Sequence, residues 1–194
     1  MFTGIIETTG QVTDITRSGS NFDIIVESVI SKELKIDQSV SHNGVCLTVV
    51  EQNDSSHRVT AVEETIKKTN LGKFQIGDII NLERCMKADG RFDGHIVQGH
   101  VDQVATCIKK EILEGSWLFE FQYDDQLGNI TVEKGSITIN GVSLTCFSSK
   151  MNSFQVTIIP YTMEHTNFKT LEIGASVNLE FDIIGKYVSK LLNK

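Results

Sequence analysis

The stretch NGVCLTV, Asn43 to Val49, returns later in the same chain as NGVSLTC, Asn140 to Cys146. Both carry the β-branched and apolar residues that suit a strand. Alternate side chains of a strand share a face, so Cys46 and Thr48 project together, opposite Val45, Leu47 and Val49. Ser143 and Thr145 do the same, opposite Val142 and Leu144. Each copy therefore offers one nucleophile-type group, a thiol or a hydroxyl, with a second hydroxyl beside it on an apolar backing. Read singly, either motif is a wall Cys or a hydrogen-bonded Ser. Their recurrence shifts the weight towards two related sites.

A second group of candidates lies in GHIVQGHVD, Gly94 to Asp102. The spacing of His95 and His100 puts them on opposite faces of a strand, which disfavours a shared metal and allows separate roles. His100 follows Gly99, whose missing side chain lets a ligand approach the backbone. The aligned residues of the first copy are Gly4 and Ile5, so a titratable imidazole stands where the other copy has an inert aliphatic. Imidazole is the natural proton shuttle near neutral pH; the plainer reading of His100 is a hydrogen-bonded barrel histidine. His42, His57 and His165 lie in turn-like or polar contexts and read as surface or structural. Lys134, before Gly135, is a solvated turn lysine or reaches a polar substrate. Asp182 follows the last strand and either caps a helix or orients a substrate.

The elements that must position these groups are duplicated. At one offset, Asn43-Gly44-Val45 matches Asn140-Gly141-Val142, Thr65 matches Thr162, Thr69-Asn70 matches Thr166-Asn167, and Asn81-Leu82-Glu83 matches Asn178-Leu179-Glu180. TGIIE, Thr3 to Glu7, aligns with QGHVD, Gln98 to Asp102. A constant offset over so long a span marks a tandem duplication. Short runs rich in Val, Ile, Thr and Phe, punctuated by turn signals, predict a small antiparallel barrel in each unit. The boundary falls in the polar, Gly-bearing ADGRFDG, Ala88 to Gly94. The units are thus 1–94 and 95–182, followed by 183–194. In that last segment Ile183, Ile184, Tyr187, Val188, Leu191 and Leu192 recur at helical spacing, with Lys186, Ser189, Lys190 and Asn193 between them. This helix has no counterpart in the first unit, and its stripe packs either on its own barrel or in an oligomer contact.

Composition narrows the function. A formal net charge of −7 argues against nucleic acid and anionic membrane surfaces as partners. The four cysteines, Cys46, Cys85, Cys107 and Cys146, form no C-x-x-C, so free thiols are expected rather than a disulfide framework or a metal site. MFTGIIETTG does not read as a signal peptide, and no apolar run is long enough to span a bilayer. A soluble cytoplasmic protein is expected. Nucleotide-phosphate, zinc-hydrolase and acyl-transfer motifs are missing. Two homologous but unequal sites call for two related ligands.

MFTGII, NGVCLTV, GHIVQGHVD, NGVSLT, IIPYT and NLEFDIIGKYV together resemble riboflavin synthase, in family order and over essentially the whole chain. The resemblance implies an all-β fold: a tandem duplication of a six-stranded antiparallel Greek-key barrel plus a C-terminal helix, assembled as a homotrimer. It implies dismutation of two molecules of 6,7-dimethyl-8-ribityllumazine by four-carbon transfer, giving riboflavin and 5-amino-6-(D-ribitylamino)uracil without a cofactor. Each barrel would bind one lumazine, with the active site where the N-barrel of one subunit meets the C-barrel of a neighbour. Lumazine synthase is a further partner that the resemblance admits.

Matched motif by motif, the N-barrel site would use Gly4, Ile5 and Ile6, then Cys46, Leu47 and Thr48, then Thr60, Ala61, Val62, Glu63, Glu64 and Thr65. The C-barrel site would use Gly99, His100 and Val101, then Lys134, then Ser143, Leu144 and Thr145. Ile158, Ile159, Pro160, Tyr161, Thr162 and Met163 would close it. Phe2 and Asp182 match positions on which the family's activity relies. His100 with Thr145 would move the proton, and Cys46, Ser143 or a water they orient would be the nucleophile. The closest rival is a non-catalytic lumazine- or flavin-binding fluorescent antenna protein; a flavin-binding barrel of a reductase is a more distant one.

Overall fold

The protein is described here by a computed structural model covering residues 1–192. Among these residues twelve strands form two closed six-stranded barrels. The N-barrel contains β1 (Thr8–Ser18), β2 (Asn21–Glu27), β3 (Ser39–His42), β4 (Val45–Gln52), β5 (Ser56–Ala61) and β6 (Ile79–Arg84), in the order β1-β2-β5-β4-β3-β6. The C-barrel contains β7 (Gln103–Leu113), β8 (Ser116–Tyr123), β9 (Ser136–Ile139), β10 (Val142–Phe147), β11 (Ser153–Ile158) and β12 (Ser176–Phe181). Its order, read from β7, is the same circle: β7-β8-β11-β10-β9-β12. All pairings are antiparallel, and β1–β6 and β7–β12 close the barrels, so neither leaves a long free edge. Short helices α1 (Glu63–Lys68) and α2 (Pro160–His165) follow β5 and β11, and α3 (Ile183–Leu192) ends the described chain. The expected fold class is the one observed.

Alternation makes these strands. On β5 His57, Val59 and Ala61 are buried, with Ser56, Arg58 and Thr60 between them less so. The N-core is aliphatic, from Val12, Ile24, Val26, Val40, Leu47, Val49, Val59 and Leu82. The C-core is aromatic: Phe119, Phe121, Phe154 and Phe168 are fully buried or nearly so, and Phe119 meets Phe168 edge-on at 5.3 Å between centroids. The four cysteines are free.

His42 and His57, read as surface or structural, are structural: each is 1% exposed, inside the N-barrel, His57 on the inward face of β5 and His42 on the same face of β3 as buried Val40. His165 is exposed, as read. One expectation is corrected. Gly94 to Asp102 is not a strand: His95 and Val97 bond to the N-terminal segment instead of a ladder. Phe2 N donates to Val97 O at 2.7 Å, Val97 N to Phe2 O at 3.1 Å and His95 N to Thr3 O at 3.1 Å. Strand alternation therefore does not set His95 and His100 on opposite faces.

The barrels meet across six buried asparagines, three from each copy: Asn43, Asn70 and Asn81 with Asn140, Asn167 and Asn178. The Asn81 side chain donates to Asn140 O and Asn167 Oδ1, both at 2.9 Å. Asn178 donates to Asn43 O and Asn70 Oδ1, both at 2.8 Å, the same contacts with the copies exchanged. Backbone amides complete the pairing: Asn70 N donates to Asn178 Oδ1, and Asn167 N to Asn81 Oδ1, each at 2.7 Å. The join is pseudo-two-fold and its side-chain amides are satisfied where water is excluded.

α3 opens with a cap, Ile184 N donating to Asp182 Oδ1 at 2.9 Å. Ile184, Tyr187, Val188 and Leu191 are at least half exposed, so the stripe does not pack on its own barrel. Asn193, expected to continue the helix, lies outside the described residues. No helix among them is long and apolar enough to cross a membrane.

Asn178→Ala would leave the Asn70 amide and the Asn43 carbonyl unpaired in a buried join. A loss of about 3 kcal/mol in urea denaturation is expected, since each stranded buried group costs about 1–3 kcal/mol.

Candidate functional site

Two arms and two strands build the site. Glu83 at the end of β6 receives Thr3 N at 2.7 Å and Gly4 N at 3.0 Å. Glu180 of β12 receives Gln98 N at 2.6 Å and His100 N at 2.8 Å. Each carboxylate thus pins the arm that precedes its own barrel. Burial pushes both carboxyls up, against the pull of the amide donors. The far side of each arm is held by the opposite barrel. Ser143 N donates to Gly4 O at 2.8 Å, and Cys46 N to Gly99 O at 2.9 Å. Gly4 and Gly99 have φ of +77° and +78°, and a Cβ on either would lie 2.6 Å from the Cβ of Ser143 or Cys46. Only glycine fits there.

This crossing corrects the expected grouping. Gly4, Ile5 and Ile6 lie with Ser143, not with Cys46: Ile5 lines the Ser143 cavity and Ile6 packs on the C-core. Gly99, His100 and Val101 lie with Cys46, and Val101 packs on the N-core. The reason is the exchange of arms across the pseudo-two-fold axis, which local alignment of the motifs cannot reveal. The buried ring of Phe2 lies under Gly99, 3.0 Å from where a Cβ would be, so it supports the Cys46 cradle from behind.

The Ser143 cradle holds a cavity of about 590 Å³, of small-molecule size. Ile5, Lys134, Ser143, Leu144, Thr145, Ile159 and Thr162 line it, with Asp93 and Gly94 of the linker. Lys134 takes a left-handed φ of 63°, and its ammonium sits 5.4 Å from the Phe147 ring. Its amide donates to Cys146 O at 2.9 Å. At the matching place in the N-barrel Asp37 has φ 69°, and its amide donates to Val49 O at 2.9 Å. One backbone frame thus presents a cation in one copy and an anion in the other.

His95 is the residue that sequence reasoning passed over in favour of His100. Its Nδ1 lies 2.6 Å from Ser143 Oγ and its Nε2 3.1 Å from Thr138 Oγ1. Burial lowers its basicity, and the charge of Asp182 works against that effect. A neutral imidazole held between two hydroxyls can accept a proton from Ser143 or from a water at its place. The duplication could not flag His95, because the matching motifs begin only at Thr3 and Gln98. His100 is exposed, with only its backbone amide tied down. Burial pushes the Cys46 thiol up, outweighing the hydrogen bond with Ser39, so it is a thiol at neutral pH.

The remaining expected residues divide by face. Thr48 and Thr145 are exposed beside Cys46 and Ser143, as strand alternation requires. Leu47, Ala61, Ile158 and Met163 point into the cores and can offer a ligand only backbone. Thr60 donates to Asp23 Oδ1 at 2.5 Å. Val62 precedes α1, where Glu63 and Glu64 pair with Lys67 and Lys68 and the Thr65 carbonyl receives Thr69. Pro160 starts α2, and Tyr161 stacks on His165 at 4.1 Å on its exposed side. No group of three metal-ligating side chains occurs among the described residues.

A family model described as the lumazine binding domain matches residues 3–85 and again residues 98–182. The riboflavin synthase of Bacillus amyloliquefaciens is 39% identical over 195 residues, covering 100% of this chain and 91% of its own. That of Saccharomyces cerevisiae is 37% identical over 203 residues, covering 98% and 85%. Among solved structures, LumP complexed with riboflavin superposes with a TM-score of 0.85 at 24% identity, covering 94% of this chain and all 100% of that one. LumP complexed with 6,7-dimethyl-8-(1'-D-ribityl) lumazine gives 0.84 at 21%, covering 93% and 98%. These last two likenesses are of fold.

Glu180→Gln would set an NH2 against one of two N–H donors. A destabilisation of about 1–3 kcal/mol is expected, with faster hydrogen exchange at Gln98 and His100 than at Thr3 and Gly4. Equal loosening of both arms would contradict the separate pinning.

Proposed function

The chain belongs to the lumazine-binding domain family, and from that premise we propose that it is a riboflavin synthase. It dismutates two molecules of 6,7-dimethyl-8-ribityllumazine, one giving a four-carbon unit to the other. The observation that carries this reading is the pair of cradles with one backbone frame and unequal chemistry. Ser143, His95 and Lys134 furnish one; Cys46, His100 and the Asp37 position furnish the other. Dismutation needs such inequality, because two identical substrates must be treated differently.

The chemistry follows from what these groups offer. The C7 methyl of the lumazine is acidic because its carbanion delocalises into the ring. One molecule loses that proton, and the other is activated by addition. Neutral His95 is placed to take a proton from Ser143 or from a water at its Oγ. Cys46, a thiol at neutral pH, is the weaker candidate nucleophile. His100 and Thr145, both exposed in the single chain, face outwards, which suits a substrate shared with a second subunit. Holding two like molecules face to face supplies much of the acceleration.

A homotrimer fits this reading. The exposed apolar stripe of α3, Ile184, Tyr187, Val188 and Leu191, is the surface it would cover. A cytoplasmic location is proposed with it.

Apo-protein given 6,7-dimethyl-8-ribityllumazine should produce the riboflavin spectrum. Tight binding without riboflavin would favour the antenna reading. His95→Ala should lower kcat about 100-fold or more with little change in KM, if it acts as general base. Tyr187→Glu should yield a monomer without turnover; an active monomer would remove the inter-subunit site.

A further inference from the structure

The N-barrel holds a buried polar chain that the C-barrel lacks. His42 of β3 and His57 of β5 have apolar counterparts, Ile139 and Phe154, in the second copy. Their Nε2 atoms are 2.8 Å apart. His42 Nδ1 lies 3.1 Å from Val40 O, and His57 Nδ1 lies 2.8 Å from Ser31 Oγ. Ser31 is fully buried, on the 3₁₀ turn Ser31–Glu33 between β2 and β3. β4 separates β3 from β5, so the bond joins strands that are not neighbours and then extends to the turn.

With both rings neutral, the bonding fixes every proton. A carbonyl only accepts, so His42 Nδ1 carries its hydrogen and His42 Nε2 is a lone pair. His57 Nε2 must then donate to it, leaving His57 Nδ1 to accept from the Ser31 hydroxyl. Two neutral rings thus use all four nitrogens. A proton on His42 Nε2 would turn the chain round, His42 Nε2 donating to His57 Nε2 and His57 Nδ1 to Ser31 Oγ, and would bury a charge and strand the Ser31 hydroxyl. A proton on His57 Nδ1 would bury a charge and oblige the Ser31 hydroxyl to find another acceptor.

The surrounding charges are engaged elsewhere or exposed. Lys32, Glu33, Glu27 on β2 and Glu51 on β4 are exposed. Asp23 pairs with Arg58, Arg84 with Glu7 and Glu33, and Glu83 holds Thr3 and Gly4. Burial lowers His42 to about 3, with His57 adding to the effect, and lowers His57 to about 4.

We propose that the Ser31–His57–His42 chain is an acid-sensitive latch: proton uptake breaks it, releases the Ser31–Glu33 turn and opens the N-barrel while the C-barrel stays closed. The proposal does not depend on the catalytic reading. Both folded values lie below the ordinary 6.5, so the open state takes up protons first. The latch is at full strength above about pH 6.5 and weakens as pH falls towards about 4. The opening equilibrium rises more steeply with each step down that window, towards a limit of about tenfold per histidine per pH unit, or about 100-fold for the pair.

Hydrogen exchange of the full chain between about pH 6.5 and pH 5, corrected for intrinsic rates, tests this. Opening constants for β3, β5 and the Ser31–Glu33 turn should climb with acid by about 200-fold in all over that range, while β9 and β11 stay flat. Parallel change in both barrels, or no change in the N-barrel, would overturn the latch. The double variant His42→Ile/His57→Phe, which installs the C-barrel residues, should lose the acid slope; a folded variant that keeps it would also overturn it. If that variant does not fold, the contrast between the two barrels of the unaltered protein still decides.

Discussion

Six asparagines that pair across the join between two copies are the constraint on which the rest of this structure depends. Each copy supplies side-chain amides that satisfy the other's backbone, and burial leaves them no water as an alternative. The join fixes the relation of the barrels by directed bonds, where apolar contact alone would permit sliding. It sets the strands bearing Cys46 and Ser143 in the relation that lets each arm reach across. A cradle here is a property of the pair of barrels.

The arms carry that relation into the site. A carboxylate from one barrel holds two amides of the arm, and the other barrel's strand takes its carbonyl. Gly4 and Gly99 permit contact so close that any side chain would part strand from arm. The ligand-facing groups therefore sit on backbone fixed at both edges, the pre-organisation a reaction governed by proximity requires. Within this shared frame the copies diverge at a few positions: Cys46 and Ser143, Asp37 and Lys134, Ile5 and His100. The divergence reaches the cores as well, where His42 and His57 answer to Ile139 and Phe154.

Much of this was legible in advance. Repeated asparagines, a repeated NGV and runs of β-branched residues gave two barrels, and the spacing of Ile184, Tyr187, Val188 and Leu191 gave α3. The faces of Cys46–Thr48 and Ser143–Thr145 followed from alternation alone. His95 and the inward His42 and His57 were harder. His95 owes its place to Ser143 and Thr138, more than forty residues away in the chain. The two histidines are polar residues on an apolar face, where composition misleads unless a partner is known.

The sequence by itself determined the duplication, the fold class and the residue types each cradle would contain, because periodicity and motif identity are local properties. Only the tertiary structure decided which arm serves which cradle, which histidine touches Ser143, and that the stripe of α3 stays uncovered by its own barrel. Those facts depend on long-range hydrogen bonds across the pseudo-two-fold axis, between residues whose separation in the chain carries no trace of the contact.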